Sequence, residues 1–140
     1  MNHLKTTLRR TVFAMLAIVL VIGCSGCTKS SDRVSNATFQ QISPEDAMQR
    51  MKTESNFQIV DVRRQEEYAA GHIPDAICIP NESIGTEPVP ELPDLDQMLL
   101  IYCRSGRRSK EAAQKLADIG YTNVYEFGGI LDWPGEIIQN

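Results

Sequence analysis

Leu99-Leu100-Ile101-Tyr102 runs directly into Cys103-Arg104-Ser105-Gly106-Arg107-Arg108, and Ser109 to Ile119 follows with Ala112, Ala113, Leu116 and Ala117 at helical spacing. Four consecutive apolar residues match a strand buried on both faces, and the spacing that follows matches a helix with one covered face. Gly120 sits where such a helix is capped. A strand, a Gly-containing loop and a helix in this order form part of a parallel βαβ unit. Ligands in such sheets bind beyond the carboxyl ends of the strands, where helix N-termini point.

Outward from this stretch the pattern repeats. Phe57 to Asp61 is short, β-branched and apolar, and predicts a buried strand ending at an acid. Glu66 to Ala70 predicts a short helix stopped by Gly71, and Ala76 to Ile79 a strand closed by Pro80. Asn81 to Asp96 is rich in Pro and acids and reads as a loop with one helical turn, and Asn123 to Phe127 reads as a fourth strand before Gly128-Gly129. Nearer the N-terminus, Ser43-Pro44-Glu45-Asp46 carries an N-cap, a proline at the first position and acids in the first turn; Ala47, Met48 and Met51 share the face behind them. Strands alternating with helices predict the α/β class, with a small parallel sheet flanked by helices on both faces over residues 38–140.

Residues 1–23 read as an address. Lys5, Arg9 and Arg10 precede an apolar run from Thr11 to Ile22, too short for a membrane-spanning helix, which needs about 20 residues, and of the right length for a secretory signal. Val21-Ile22-Gly23-Cys24 resembles the bacterial lipobox, in which the cysteine is lipidated and becomes the mature N-terminus; Cys27 after Ser25-Gly26 is a weaker second candidate. The polar stretch 24–37 reads as a flexible tether. Losing residues 1–23 removes three basic residues and no acidic ones, so the net charge goes from −4 to −7 and only the lipid is left to hold the protein at an anionic membrane. The expected location is extracytoplasmic. Cys24 and Cys27 also form a Cys-x-x-Cys pair, but in a tether, with no strand feeding a helix, it does not read as a redox motif.

The remaining composition excludes more than it suggests. A chain of 140 residues has room for one sizeable core and shows no fixed repeat. An acidic balance argues against a nucleic-acid partner, and two histidines with four cysteines leave few ways to build a metal site; no cofactor is expected.

The chemistry concentrates at Cys103. A cysteine between a strand and a helix N-terminus faces backbone N–H groups and the positive end of the helix dipole, and Arg104, Arg107 and Arg108 add charge beside it. Such settings bring a thiol from about 8.5 into a range of roughly 3.5 to 7.5, which makes it a nucleophile at neutral pH. Gly106 suits a tight loop that needs positive φ and close approach of an anion to the backbone.

At these residues the sequence resembles the rhodanese (sulfurtransferase) family, over nearly the whole domain from Ile59 to Trp133. Asp61-Val62-Arg63, Glu67-Tyr68, Gly71-His72-Ile73-Pro74, Ala76 and Ile79-Pro80 resemble its N-terminal signature. Cys103 to Arg108 is similar to its six-residue active-site loop, and Gly120-Tyr121, Asn123-Val124-Tyr125, Gly128-Gly129 and Trp133 resemble its C-terminal signature. Asp75 departs from a common Gly, and Asp132 from a frequent small residue. The resemblance implies sulfur transfer from a small anionic donor such as thiosulfate, through a persulfide on Cys103, to cyanide or a thiol. The loop residues Arg104, Ser105, Gly106, Arg107 and Arg108 would bind the donor.

Two other readings compete. A rhodanese-like binding module with idle chemistry is disfavoured by the intact cysteine and loop. A phosphatase or arsenate reductase places an arginine after five intervening residues, where this chain has Ser109. Of the other residues, Asp61 and Arg63 read as an ion pair between the strand end and a neighbouring helix, with substrate contact the lesser alternative. His72 reads as a hydrogen-bonded turn residue, Cys78 as a core residue or, less so, a resolving thiol, and Tyr125 and Trp133 as core or rim.

Overall fold

The computed structural model describes residues 37–139. The expected signal segment, the lipidated Cys24, Cys27 and all but the last residue of the expected tether lie outside the described residues. Five strands form one parallel sheet: β1 (Gln40–Gln41), β2 (Phe57–Asp61), β3 (Ala76–Cys78), β4 (Met98–Cys103) and β5 (Val124–Gly129), in the spatial order β1-β5-β4-β2-β3. Three helices alternate with them: α1 (Pro44–Thr53), α2 (Gln65–Ala69) and α3 (Arg107–Ile119).

The central strand explains the layering. From Leu99 to Cys103 every residue of β4 is buried, as expected of a parallel strand covered on both sides. Leu99, Ile101 and Cys103 point into one core, with Val60 of β2 and Val62 just after it, Val124 of β5 and Ala112, Ala113 and Leu116 of α3. Leu100 and Tyr102 point the other way, into a core with Ile59, Ile73, Tyr125, Phe127 and Ala47 of α1, onto which Tyr68 of α2 and Trp133 pack. Thus α3 covers one face, α1 and α2 the other, and the α/β reading holds.

Local chemistry sets the element ends. The Ser43 hydroxyl oxygen accepts the Asp46 N–H at 3.0 Å, capping α1 as its sequence predicts. Gly120 ends α3 with its N–H on the Ala117 and Leu116 carbonyls, and the next residue, Tyr121, ties down residues 89–92 of the long loop: its hydroxyl donates to Leu92 O at 2.8 Å and accepts the Val89 N–H at 3.0 Å. Asp75, the departure from a common Gly, has φ 64°, a left-handed conformation that a short acidic side chain tolerates.

Three expectations need correction. The sheet has five strands, because Gln40–Gln41 pairs with Tyr125 and Glu126 at the edge of β5 without any apolar pattern to announce it. Helix α3 begins at Arg107, two residues before Ser109. Two arginines oppose the helix dipole in a first turn, but here Gly106 supplies the turn from a left-handed φ of 95° and Arg108 finds an acidic partner. Cys78 is half-buried at the end of the sheet-edge strand β3 and lines a surface groove, not the core.

Candidate active site

Cys103 is the last residue of β4 and its side chain is almost wholly buried beneath the loop that follows. Gly106 turns that loop back so that its N–H points at the sulfur, 3.1 Å from Cys103 Sγ. Burial pushes the thiol up. The Ser109 hydroxyl and the N–H groups of Ser109, Ser105 and Gly106 outweigh burial and leave the Cys103 thiol below its ordinary value. The loop and the first turn of α3 therefore form a nest of donors around one sulfur, the arrangement that favours thiolate.

The floor of the nest comes from β5. Ile101 pairs with Glu126 but Cys103 pairs with Gly129, so β5 carries one extra residue opposite the end of β4. This bulge slides Gly128-Gly129 under the loop. A Cβ at Gly129 would strike the carbonyl carbon and oxygen of Arg104 and lie 2.5 Å from Ser105 N. The φ of −133° is open to any residue, so the constraint is space alone. Gly129→Ala is expected to push the loop off its floor, cost about 1–3 kcal/mol of stability through overpacking and lower turnover about a hundredfold by misplacing the nest. Thermal unfolding and a sulfur-transfer assay of the variant check both, and a wild-type rate would contradict this account of the floor.

Above the sulfur opens a cleft of about 390 Å³, lined by Cys103, Arg104, Ser105, Arg107 and Arg108 with Arg64, Glu67 and Glu82. Four cations face two carboxylates, which suits an anionic ligand. The arginines divide the work. Arg108 forms a two-pronged pair with Glu67, Nη1 to Oε2 at 2.7 Å and Nη2 to Oε1 at 2.9 Å, which docks α2 against the first turn of α3. Arg104 and Arg107 are exposed at the mouth. A larger groove of about 510 Å³ beside Cys78 has only Glu87 and Glu91 as charged lining and does not suit an anion.

The Arg108 hydrogen bond holds Glu67 down to about 2, against burial and with help from the Arg64 N–H. A depressed carboxyl stabilises the fold above its unfolded value of about 4.3 and loses that contribution as pH falls toward the folded value. Acid unfolding between pH 4.5 and 2 is thus expected to be shallower for Glu67→Gln than for the wild type, read as denaturant midpoint against pH. Parallel curves would contradict the pairing.

Asp61 and Arg63 form a buried pair that does not line the cleft. The Asp61 carboxylate accepts the backbone N–H of Arg63 and its Nε at 2.9 Å, and its Nη2 at 2.6 Å. The same Nη2 donates to Gly71 O at 2.6 Å, so the pair fastens the end of β2 to the turn after α2, where a neighbouring helix was expected. Burial also raises Tyr102, whose hydroxyl accepts the Ile73 N–H at 3.1 Å. His72 is buried in that turn, pairs through its backbone with Ile138, stacks on Tyr68 at 3.7 Å and places Nδ1 2.9 Å from Tyr68 O. It lies outside the cleft and reads as structural. Cys78 contacts Arg63 O at 3.6 Å, and burial and the Asp61 charge push its thiol up to about 11, which makes it a poor nucleophile at neutral pH.

Residues not assigned to the site from the sequence complete it: Glu67, Arg64 and Glu82 at the mouth, Gly129 below the loop, and Glu126, whose Oε1 accepts the Ser109 hydroxyl at 2.6 Å. Among the described residues no three His, Cys, Asp or Glu side chains come together as a metal site.

The rhodanese-like domain model matches residues 43–136. The chain belongs to the rhodanese-like family. Among relatives, the thiosulfate sulfurtransferase GlpE of Pseudomonas entomophila is 38% identical over 106 residues, covering 72% of this chain and 94% of that protein. The thiosulfate sulfurtransferase PspE of Escherichia coli is 36% identical over 73 residues, covering 52% of this chain and 70% of that protein. Of solved structures, one described as a rhodanese with anions from E. coli aligns with a TM-score of 0.55 at 32% identity, over 59% of this chain and 98% of its own. The rhodanese-like family of sulfurtransferases is therefore the context in which the Cys103 loop is to be understood.

Proposed function

We propose that this protein moves a sulfane sulfur from a thiosulfate-like donor to a thiophilic acceptor, cyanide or a thiol, through a persulfide on Cys103. One observation carries the reading: a nearly buried sulfur at the floor of an arginine-lined cleft, with a loop N–H 3.1 Å away. Arg104, Arg107 and Arg64 draw the anionic donor in. The Cys103 thiolate attacks its outer sulfur; a new S–S bond forms, the donor's own S–S bond breaks, and the electron pair leaves with sulfite. The loop N–H groups then hold the negative charge of the persulfide. An acceptor attacks the terminal sulfur, and the Cys103 thiolate is the leaving group. Donor and acceptor never need to bind together, which is ping-pong covalent catalysis. Steady-state thiocyanate formation, with thiosulfate varied at several cyanide concentrations, is expected to give parallel double-reciprocal lines; intersecting lines would overturn the two-step reading. The relatives named as thiosulfate sulfurtransferases support the donor.

We place this activity outside the cytoplasmic membrane, on a chain anchored by lipid at Cys24, on the strength of the pattern at residues 1–24 alone. Membrane fractionation and the mass of the mature N-terminal peptide check it, and an unlipidated chain in the soluble fraction would contradict it.

A further inference from the structure

The cleft above Cys103 is lined by charge of both signs. Arg104, Arg107 and Arg108 come from the loop and the start of α3, Arg64 and Glu67 from the start of α2, and Glu82 from the short turn Asn81–Ser83 after β3. Glu67 is taken up by Arg108. Glu82 is exposed and forms no ion pair among the described residues. A free carboxylate in a cleft that suits an anion works against the donor, yet the turn that carries it is held firmly. The Asn81 N–H donates to Val62 O at 3.1 Å and the Ser83 hydroxyl to Pro80 O at 2.7 Å. Lys115 Nζ of α3 donates to Asn81 O at 3.1 Å and to Asn81 Oδ1 at 3.2 Å. The helix that begins with Arg107 and Arg108 therefore also fixes the backbone from which Glu82 projects.

The same turn separates the cleft from the larger groove: Glu82 lines the first, and Pro80 and Ser83 line the second, where Glu87 and Glu91 are the charged residues. An acceptor that reaches Cys103 across this turn meets carboxylates. We propose that Glu82 sets the charge class of the sulfur acceptor, favouring a thiol that carries a positive group over one that carries a negative group. The inference rests on reading Cys103 as the sulfur carrier, and it names the class of acceptor that takes the sulfur away. The donor is admitted all the same, because Arg64, Arg104 and Arg107, none of them in an ion pair among the described residues, outnumber the one free carboxylate. Its remainder has left as sulfite before the acceptor arrives, since the two half-reactions use the cleft in turn. The acceptor then meets a persulfide that is itself negative, so an anionic thiol is repelled both by the intermediate and by Glu82. In this half-reaction the sulfur of the thiol bonds to the terminal sulfur, and the thiol's proton passes to that sulfur. The bond to Cys103 breaks and its electron pair stays on Sγ. Glu82 holds the positive group of the acceptor meanwhile and takes no part in the exchange of bonds.

The test uses the full chain, loaded by thiosulfate to the Cys103 persulfide and freed of excess donor, and follows loss of the added sulfur by intact mass. Cysteamine, mercaptoethanol and mercaptopropionate serve as acceptors with a positive, a neutral and a negative group. Each rate is divided by that of mercaptoethanol on the same variant, so that any change in the sulfur itself cancels. Relative to the wild type, Glu82→Gln is expected to slow cysteamine about threefold and to speed mercaptopropionate about threefold, the size of one exposed charge interaction. Glu82→Lys should move both rates further in the same directions, and all these differences should shrink as salt is added. Relative rates that neither variant changes, or that shift together for both charged thiols, would overturn the proposal while leaving Cys103 as the sulfur carrier. A chain that gains no sulfur from thiosulfate would instead remove that reading of Cys103, and the proposal with it.

Discussion

Cys103→Ser is expected to abolish sulfur transfer, with the rate falling to that of the uncatalysed mixture, while leaving the fold unchanged. The hydroxyl of serine titrates far above any thiol, so the donors that favour a thiolate have no anion to hold. The loop N–H groups remain, and the arginines at the mouth still attract the donor. The variant should therefore bind thiosulfate without turning it over, a loss confined to kcat. Equilibrium binding and thiocyanate formation measured on the same preparation separate the two. Residual turnover within tenfold of the wild type would mean that another group carries the sulfur, and Cys78, with its thiol pushed up to about 11, is poorly suited to replace it.

Arg63→Met should have the largest effect on stability. The Asp61 carboxylate is wholly buried and accepts four hydrogen bonds from Arg63. Methionine keeps much of the volume and strands both the carboxylate and the Gly71 carbonyl. Removing one partner of a buried ion pair costs about 3–5 kcal/mol, a large part of the roughly 5–15 kcal/mol that holds a domain together. The melting temperature is expected to fall by roughly 20 °C. Replacing both partners, Asp61→Leu with Arg63→Met, should recover part of the loss, because an apolar pair leaves no uncompensated charge. A double variant less stable than the single one would contradict this account.

How much of this was legible in the sequence depends on what each residue had to announce. The strand at Leu99, the loop and the helix behind it were legible because apolar runs, helical spacing and a glycine have unambiguous local consequences. The cap at Ser43 was legible for the same reason. Gln40–Gln41 was not, since two glutamines become a strand only by pairing with β5. Glu126 stood inside an apolar strand, where a charge reads as solvent-facing; its burial depends on Ser109, Gly128 and Gln41, brought together by the fold. The division among the arginines was equally hidden, because the partner of Arg108 is 41 positions away in Glu67. The repeated glycine at 128–129 was visible, but the one-residue bulge that makes Gly129 the floor of the loop is a property of register between two strands. What the sequence could not show was, in each case, a contact between distant residues.

The central claim is that Cys103 carries sulfur as a covalent intermediate, and intact mass tests it most directly. The protein incubated with thiosulfate is expected to gain one sulfur, about 32 Da, at Cys103, and to lose it on addition of cyanide with formation of an equal amount of thiocyanate. No gain in mass with thiosulfate or any other sulfane donor, from a protein whose Cys103 is reduced and free to be alkylated, would contradict it.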